Sequence, residues 1–438
     1  MSGMKALKTH ISELEDLLGD CMRCGMCQGV CPLFAETGRE TDVARGKMAL
    51  LDGLTQEMFK DPNGVYKHLN KCLLCGSCAD NCPSGVNALE IFIKARAILT
   101  AFMGLSPAKR LIFRGMLSRP QFFDRLVAWG AKFQSFFTKP ANEIVGTSCA
   151  RFISPLIGHR HFKPLAPVPF HHMVPSLDSS PGRSGVKAAF FVGCLVDKIF
   201  PQIARDAVHA LNHHEVGIFL PEEQGCCGIP ALSAGDIKTF HRLLRHNLGR
   251  FDTERFDVLI TPCATCTTTL KIIWPMMSDK SSGRIQRKID AIAQKTLDIH
   301  QFLVSTVGLE KPKAENRVDL ENITYHDPCH LKKSLGVFSE PRSLIEADPG
   351  CRLKEMPEAD RCCGLGGTFS LGHYKLSASI GKVKGDHIRS TGCRVVATGC
   401  PACMLQLSDI LSKSGDRITV KHPIEIYAAF LKSQDTSS

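Results

Sequence analysis

Apolar residues recur at helical spacing along the N-terminal part of the chain. A first short amphipathic helix is predicted within residues 5–19, because apolar side chains repeat there every three or four positions: Leu7, Ile11, Leu14, Leu17 and Leu18. The apolar spacing predicts helices in residues 32–71 as well. Residues 86–103 are richer in apolar side chains and predict a helix that packs this region against its neighbour.

From residue 186 onward the pattern changes to short apolar runs that alternate with helical segments. The runs are residues 187–192, 257–260, 322–325 and 394–397, and helical spacing follows at 201–211 and 239–248. This alternation predicts parallel α/β units. In such sheets ligands bind at the carboxyl ends of the strands, so the residues that follow each run are candidates for a site.

The two regions are joined by a basic, aromatic stretch and a proline-rich linker. Residues 104–163 mix Arg and Lys with Phe and Leu, a combination that can lie on a membrane surface or grip a partner subunit. The alternative is a connecting helical arm packed on its own protein. Five prolines between 164 and 181 then mark a linker. We find no run of 18 or more apolar residues, so no membrane span is predicted.

Cysteine is the unusual component of the composition. The chain has 438 residues with 44% hydrophobic and 22% charged, which is ordinary for a globular protein, but it has 21 cysteines. The first 20 residues lack the charged and apolar regions of a secretory signal. We therefore expect a reducing, cytoplasmic compartment in which the cysteines are metal ligands before they are disulfides.

A formal charge of +11 would ordinarily suggest nucleic acid or an anionic membrane surface as a partner. Ligating thiolates would offset much of this charge in the folded protein. The basic residues are spread out and aromatic residues are only 7% of the chain, so no nucleic-acid partner is expected.

The N-terminal region contains the pattern C-x2-C-x2-C-x3-C-P twice, at residues 21–32 and 72–83. Bacterial ferredoxins hold [4Fe–4S] clusters with this spacing, and the fourth cysteine of each run ligates the other cluster. Two clusters are therefore predicted, one bound by Cys21, Cys24, Cys27 and Cys82 and the other by Cys72, Cys75, Cys78 and Cys31. A zinc knuckle and a disulfide scaffold are the weaker alternatives, and zinc usually takes two separated C-x2-C pairs. Arg45 and Lys47 could place positive charge beside the first loop, or could simply begin a solvated helix.

A second cysteine pattern occurs twice in the remainder of the chain. The distances from Cys194 to Cys329, from Cys226 to Cys362 and from Cys263 to Cys400 are 135, 136 and 137 residues, so the copies are almost in register. Each copy brings five cysteines from three strand ends, which predicts a metal pocket. A vicinal pair strains the geometry of a regular cube, so an unusual cluster is plausible.

This pattern, C-x31-CC-x35-C-x2-C with C-x32-CC-x36-C-x2-C in the second copy, resembles the CCG domain pair named for its Cys-Cys-Gly. Preceded by a two-cluster ferredoxin module, it is similar to the iron–sulfur subunits of glycolate oxidase and D-lactate dehydrogenase. The iron–sulfur subunit of anaerobic glycerol-3-phosphate dehydrogenase and the catalytic subunit of heterodisulfide reductase share the plan. Residues 44–48 look like the glycolate oxidase branch, and residues 422–424 look closer to the glycerol-phosphate branch.

The resemblance implies that the CCG cysteines bind further iron–sulfur clusters of a non-cubane type. The residues concerned are Cys194, Cys226, Cys227, Cys263 and Cys266 in the first copy and Cys329, Cys362, Cys363, Cys400 and Cys403 in the second. A structural zinc site and a redox-active vicinal disulfide stay open as alternatives.

We therefore expect a multidomain α+β protein, with a helical ferredoxin module followed by two repeated α/β CCG domains. The expected regions are 1–103 for the module with two [4Fe–4S] clusters, 104–185 for the basic arm and linker, 186–315 for the first CCG domain and 316–438 for the second.

Several other cysteines and histidines are expected to be structural. Cys149, Cys351 and Cys393 lie outside every pattern and are predicted to be buried thiols. His326 and His330 flank Cys329 and could ligate a metal or carry a proton, although a structural histidine near a strand end is the more common case. The pairs at 171–172 and 213–214 lack a partner at metal spacing and are expected at the surface.

The sequence contains no flavin or nicotinamide fingerprint and no P-loop, since the glycines at 364–367 fail the dinucleotide pattern. Nothing on the chain could take a hydride from an organic substrate, so substrate oxidation is expected on a partner. The expected partner is an FAD-containing 2-hydroxyacid dehydrogenase subunit, with electrons passed on to a quinone or another carrier in the membrane. The alternative functions are a catalytic subunit of the heterodisulfide reductase type that reduces a disulfide, an iron–sulfur subunit of glycerol-3-phosphate dehydrogenase, and a zinc-stabilised scaffold.

Overall fold

The computed structural model describes residues 2–59, 61–152, 159–278, 283–309 and 320–435, with side chains from Leu7 onward. The chain divides into two compact units. Unit 1 contains residues 1–119, 228–242 and 364–381, and unit 2 contains 120–227, 243–363 and 382–438. The predicted boundary at 315/316 lies outside the described residues.

Among the described residues of 2–119 the regular structure is helical, as the apolar spacing predicts for 5–19, 32–71 and 86–103. The helices are α1 (Ser2–Ser12), α2 (Glu15–Gly19), α3 (Met26–Val30), α4 (Pro32–Thr37), α5 (Ala44–Thr55), α6 (Asn63–Asn70), α7 (Ser77–Asp80), α8 (Ala88–Met103) and α9 (Pro107–Arg110), with a 3₁₀ turn at Glu40–Asp42 and a π-helix at Leu111–Leu117. The helix predicted within 5–19 is interrupted, since α1 and α2 are separate. The Asn87 side chain caps α8 by accepting a hydrogen bond from the Glu90 amide at 3.2 Å.

The basic stretch forms one long helix and then a small sheet that the sequence pattern did not predict. Helix α10 (Pro120–Phe137) is followed by β1 (Thr138–Asn142), β2 (Thr147–Ala150) and β3 (His161–Phe162), which pair in that order as an antiparallel sheet. The proline-rich linker contains α11 (Phe170–Met173) and β4 (Leu177–Asp178). The linker is thus partly structured, because β4 pairs antiparallel with the first large sheet.

The first cysteine repeat alternates strands and helices. Its elements are β5 (Lys187–Phe190), α12 (Cys194–Lys198), α13 (Pro201–His213), β6 (Gly217–Leu220), α14 (Ile229–Ser233), α15 (Ile237–Leu248), β7 (Val258–Thr261), α16 (Ala264–Thr268), α17 (Trp274–Met277), α18 (Gly283–Lys295), β8 (Thr296–Asp298) and α19 (Ile299–Gln301), with π-helices at Thr269–Ile273 and Phe302–Thr306.

The second repeat follows the same plan, with fewer helices in its described part. Its elements are β9 (Glu321–Tyr325), α20 (Cys329–Leu335), α21 (Glu340–Glu346), β10 (Cys351–Leu353), α22 (Phe369–Gly372), α23 (Tyr374–Ser390), β11 (Val395–Ala397), α24 (Pro401–Lys413), β12 (Thr419–Lys421) and α25 (Pro423–Asp435).

The four parallel strands of each repeat follow the same order. The first sheet runs β4-β6-β5-β7-β8 and the second runs β10-β9-β11-β12, with every strand parallel to its neighbours except β4. Helices α13 and α25 join the repeats: Lys432 pairs with Asp206 at 2.6 Å, and His214 hydrogen-bonds to the Tyr427 hydroxyl at 2.8 Å. The predicted fold class is confirmed.

Candidate metal centres

In unit 1 the two ferredoxin-type segments adopt the same backbone conformation. Arg23 and Leu74 are both left-handed, at φ +56° and +55°, and Gly25 and Gly76 follow them at φ +91° and +75°. A left-handed conformation costs free energy for a non-glycine residue, so its recurrence at equivalent positions indicates a constraint on each loop. A short helix, α3 or α7, begins directly after each glycine.

The eight ferredoxin cysteines are divided between two cavities, in the two groups of four that the sequence predicts. One cavity is lined by Cys31, Cys72, Cys75 and Cys78. The other is lined by Cys21, Cys24, Cys27 and Cys82, and Cys78 also reaches it. The fourth cysteine of each segment therefore lies in the cavity of the other segment. We call them the Cys75 cavity and the Cys24 cavity.

The surroundings of these sulfurs fit iron-bound thiolates. Backbone amides already point at two of them: Leu74 N lies 3.4 Å from Cys72 Sγ, and Phe34 N lies 3.5 Å from Cys31 Sγ. Burial raises the pKa of the Cys31 thiol to about 12 and raises the pKa of the Cys78 thiol well above its usual range. A bound metal would offset this penalty, because coordination deprotonates a thiol outright.

The two basic residues of the 45–47 segment line different cavities. Arg45 lines the Cys24 cavity and donates to Arg23 O at 3.3 Å, and Lys47 is fully buried in the wall of the Cys75 cavity. Gly46 permits this placement because a Cβ there would lie 2.0 Å from Glu40 O. The interpretation of this segment as a solvated helix start is therefore wrong for Lys47. Burial lowers the pKa of this lysine.

In unit 2 the CCG cysteines follow the carboxyl ends of the parallel strands. Cys194 follows β5, the vicinal pair 226–227 follows β6, and Cys263 follows β7. Cys329, the pair 362–363 and Cys400 occupy the same places after β9, β10 and β11. The chain order of the strands reverses beside β5 and β9, which is the position where ligands bind to open α/β sheets.

Contacts between thiols join most of these cysteines into groups. In the first repeat Cys194 and Cys226 have their sulfurs 3.6 Å apart, and interactions with Cys227 and Cys263 raise the pKa of Cys266. In the second repeat the sulfurs of Cys363 and Cys403 lie 3.5 Å apart. Cys362 is the buried neighbour of Cys363, and the half-buried Cys329 is the first residue of α20.

The two repeats meet at their C-x2-C motifs. Interaction with the Cys263 thiol lowers the pKa of Cys400 well below its usual range, and Thr265 Oγ1 lies 3.3 Å from Cys400 Sγ. The Ala264 amide also donates to Gly399 O at 3.1 Å. The CCG cysteines of both copies thus belong to one sulfur-rich region, a feature that separate sequence motifs could not reveal.

Buried histidines complete this region. His300 and His422 follow the last strands, β8 and β12, and their rings stack at 4.9 Å. His326 is fully buried after β9, and burial, together with the Lys384 charge, lowers its pKa to about 3. His300 was not singled out from sequence. The signal that could have found it is its place after the last strand, which matches that of His422.

Some predictions for residues outside the motifs need correction. Cys393 is buried as predicted, but Cys149 and Cys351 are only half-buried, because the small antiparallel sheet and the edge strand β10 leave them partly open to solvent. His171 is not a simple surface histidine, since its Nδ1 lies 3.2 Å from Asp197 Oδ1. His214 is half-buried against Tyr427.

Taken together, paired ferredoxin loops and two sheets that end in CCG cysteines define an iron–sulfur electron-transfer protein. Comparison with known families agrees: residues 188–271 and 323–408 match the family model described as a cysteine-rich (CCG) domain, and residues 18–86 match the 4Fe-4S dicluster domain.

The chain belongs to the family of CCG-domain iron–sulfur proteins. It is 32% identical over 425 residues to an uncharacterised iron–sulfur protein of Methanocaldococcus jannaschii, covering 95% of this chain and 73% of that protein. It is 28% identical to the "probable glycolate oxidase iron-sulfur subunit" of Bacillus subtilis and 27% identical to one subunit of the dihydromethanophenazine:CoB–CoM heterodisulfide reductase of Methanosarcina barkeri, each match covering 94% of both chains.

Proposed function

We propose that this chain is the electron-transfer subunit of a flavin-dependent 2-hydroxyacid dehydrogenase acting on D-lactate or glycolate. The observation that carries the proposal is the division of the eight ferredoxin cysteines between two cavities. The chain has, in addition, the ten cysteines of the two CCG motifs. The similarity to a glycolate oxidase iron–sulfur subunit supports this substrate class.

The proposed division of labour follows from electron counting. Oxidation of a 2-hydroxy acid to a 2-oxo acid releases two electrons and two protons, which an FAD-containing partner subunit accepts together. Iron–sulfur clusters carry electrons one at a time. The cysteines of this chain would hold the clusters, and Lys47 and Arg45 would place positive charge beside them. The electrons then leave to a quinone or another carrier.

The test is reduction of the anaerobically purified chain by its flavoprotein, followed by electron paramagnetic resonance. We expect iron and acid-labile sulfide in the chain, and reduction only when flavoprotein and 2-hydroxy acid are both present. Zinc without sulfide would contradict any redox function. Turnover of a disulfide by this chain alone would favour the catalytic role of the heterodisulfide reductase relative instead.

We further propose a cytoplasmic location with peripheral attachment to the inner face of the cytoplasmic membrane, through one face of α10. Among the described residues no helix is long and apolar enough to cross a bilayer. The side chains Phe122, Trp129, Phe133, Phe136 and Phe137 are exposed and fall within an arc of about 100° on the helix. The rings of Trp129, Phe133 and Phe136 are neighbours, at centroid distances of 5.0 and 6.3 Å.

Charge favours a lipid surface over a protein partner for this aromatic face. The exposed Arg125 and Lys132 lie along one edge of it, whereas the one acidic residue of α10, Asp124, is engaged by Lys198 at 2.9 Å. A helix that combines exposed aromatic residues with flanking cations is typical of attachment to anionic bilayers.

Replacing Phe133 and Phe136 by glutamine is expected to weaken binding to phosphatidylglycerol vesicles by at least about tenfold, because burial of each ring in lipid is lost. Trp129 is the natural probe: the only other tryptophan, Trp274, is fully buried, so a fluorescence shift on vesicle addition reports Trp129.

Phe338→Gln is the matched control, since Phe338 is also exposed but lies outside α10. Equal binding to vesicles of neutral phosphatidylcholine would contradict the part assigned to the cations, and no binding to either kind of vesicle would contradict membrane attachment. Binding of the flavoprotein that fails in the double variant would identify α10 as a protein interface instead.

A further inference from the structure

His326 presents one ring nitrogen to the cysteines of the second CCG centre. Its side chain is fully buried directly after β9, and Nδ1 lies 3.1 Å from Ala359 O. A carbonyl only accepts, so Nδ1 carries the proton and donates. Nε2 is then left with its lone pair, and this buried atom has no hydrogen-bond partner among the described residues.

Two cysteine sulfurs lie close enough to this histidine for all three residues to bind one metal ion. A ring nitrogen of His326, Cys363 Sγ and Cys403 Sγ all lie within 4.8 Å of one another. Because Nδ1 is engaged by Ala359, Nε2 is the nitrogen available to a metal. A backbone carbonyl that accepts from the opposite ring nitrogen is the usual means by which proteins orient a metal-binding histidine.

The first repeat lacks this nitrogen. The internal offset of 135 residues that relates Cys194 to Cys329 also relates Phe191 to His326. Phe191 is fully buried after β5, and its ring packs 5.8 Å from that of Phe251. At the same place in the two copies, one site therefore has a hydrocarbon ring and the other has a nitrogen donor.

We propose that His326 is an iron ligand through Nε2, so that the second CCG centre is a mixed cysteine–histidine site while the first is bound by cysteine alone. A neutral imidazole brings no negative charge to a centre, whereas a thiolate at the same place would lower the reduction potential, in the sense shown by the exchange of cysteine for histidine in Rieske-type clusters.

Pulsed electron paramagnetic resonance tests the ligand directly, with the intact holo-protein poised anaerobically by dithionite or a mild oxidant. After labelling of all histidines with ¹⁵N, we expect a strong nitrogen coupling of the size given by a directly bound imidazole. His326→Phe, which copies the residue of the first repeat, is expected to abolish it. His172→Phe, at an exposed histidine, is expected to leave it unchanged.

His326→Cys distinguishes a ligand from a packing residue, because it returns a metal donor to the site without the ring. We expect iron and sulfide contents near those of the wild type, loss of the nitrogen coupling and a lower midpoint potential for one centre. The absence of histidine coupling in the labelled wild type would overturn the proposal even if both variants failed to fold, and so would its persistence in either variant. These readouts need no flavoprotein, so failure of the 2-hydroxyacid reaction would refute the proposed function alone.

Discussion

Replacing both Cys31 and Cys75 by alanine is expected to remove about four irons per chain, whereas replacing both Cys24 and Cys31 is expected to remove about eight. The first pair lines one cavity, and the second pair belongs to one sequence motif but lines two cavities. Each double variant removes two thiols and shares Cys31→Ala, so only the crossed arrangement predicts a twofold difference. Alanine is chosen because serine could still ligate iron.

Iron and acid-labile sulfide, measured on anaerobically purified protein, check this expectation. Cys149→Ala is the control, since Cys149 lies on β2 outside the motifs, and its iron content is expected to match the wild type. Equal losses in the two double variants would contradict the crossed arrangement.

The single variant Cys24→Ala tests the same centre functionally. Transfer from flavoprotein to acceptor is expected to fall to background, because the relay loses a carrier, while reduction of the flavin by the 2-hydroxy acid continues at its normal rate. Stopped-flow absorbance separates the two steps. Loss of flavin reduction as well would contradict the division of labour between the subunits.

The cysteine cavities were predictable from sequence because their geometry is local. Three cysteines at spacings of two residues, with Gly25 or Gly76 between them, determine a tight loop whatever the rest of the chain does. The second pattern was predictable for another reason. Duplication repeats the spacing, and an apolar run before each cysteine assigns it to a strand end, so the site follows from the general behaviour of parallel sheets.

The contacts between distant segments were not predictable from these patterns. Cys263 meets Cys400 and His300 stacks on His422 only because the two sheets pack together, and no periodicity encodes that packing. The antiparallel sheet after α10 was missed because its strands are short and polar. The position of His326 beside Cys329 marked it as a possible ligand, but the sequence favoured a structural histidine, because spacing does not encode which way each ring nitrogen points.

The composition of unit 1 is the other feature that the sequence pattern did not predict. Residues 228–242 and 364–381, which begin immediately after the vicinal cysteines, belong to it. Gly235 is left-handed at φ +84°, and a Cβ there would lie 2.0 Å from Thr100 Oγ1 of α8. A Cβ at Gly366 would likewise meet the Leu73 side chain at 2.6 Å. Close approach to the ferredoxin helices therefore explains why glycines occupy these positions.

Arg96 links this packing to the Cys75 cavity. Its side chain on α8 is 1% exposed, and the guanidinium donates to three backbone carbonyls: Leu69 O at 2.6 Å, Cys72 O at 2.5 Å and Ser233 O at 2.7 Å. The three acceptors come from α6, from the first cysteine of the second loop and from the 228–242 segment. One planar donor group thus holds three separate pieces of backbone together.

Arg96→Met is expected to lower the stability of the holo-protein by about 3 kcal/mol, because methionine fills the space but leaves three buried carbonyls without a donor. In thermal melts followed by the visible cluster absorbance, this corresponds to about 6–12 °C. Arg96→Lys is expected to fall in between, since a point charge cannot reproduce the fork. Burial lowers the pKa of Arg96, which shows that burying its charge carries a desolvation cost. The methionine variant no longer has this cost, so the loss of stability is not expected to exceed about 3 kcal/mol.

Arg183→Met separates this role from the general loss of an arginine, since Arg183 is exposed and pairs with Glu215 at the surface. Its melting temperature is expected to stay close to that of the wild type. If Arg96→Met had the same melting temperature as Arg183→Met, the three carbonyls would have to find other donors. Arg96 would then not be the residue that stabilises the second cysteine loop. A selective loss of the Cys75-cavity cluster, with the Cys24-cavity cluster retained, would instead show that the guanidinium orders the Cys72 loop more than it stabilises the unit as a whole.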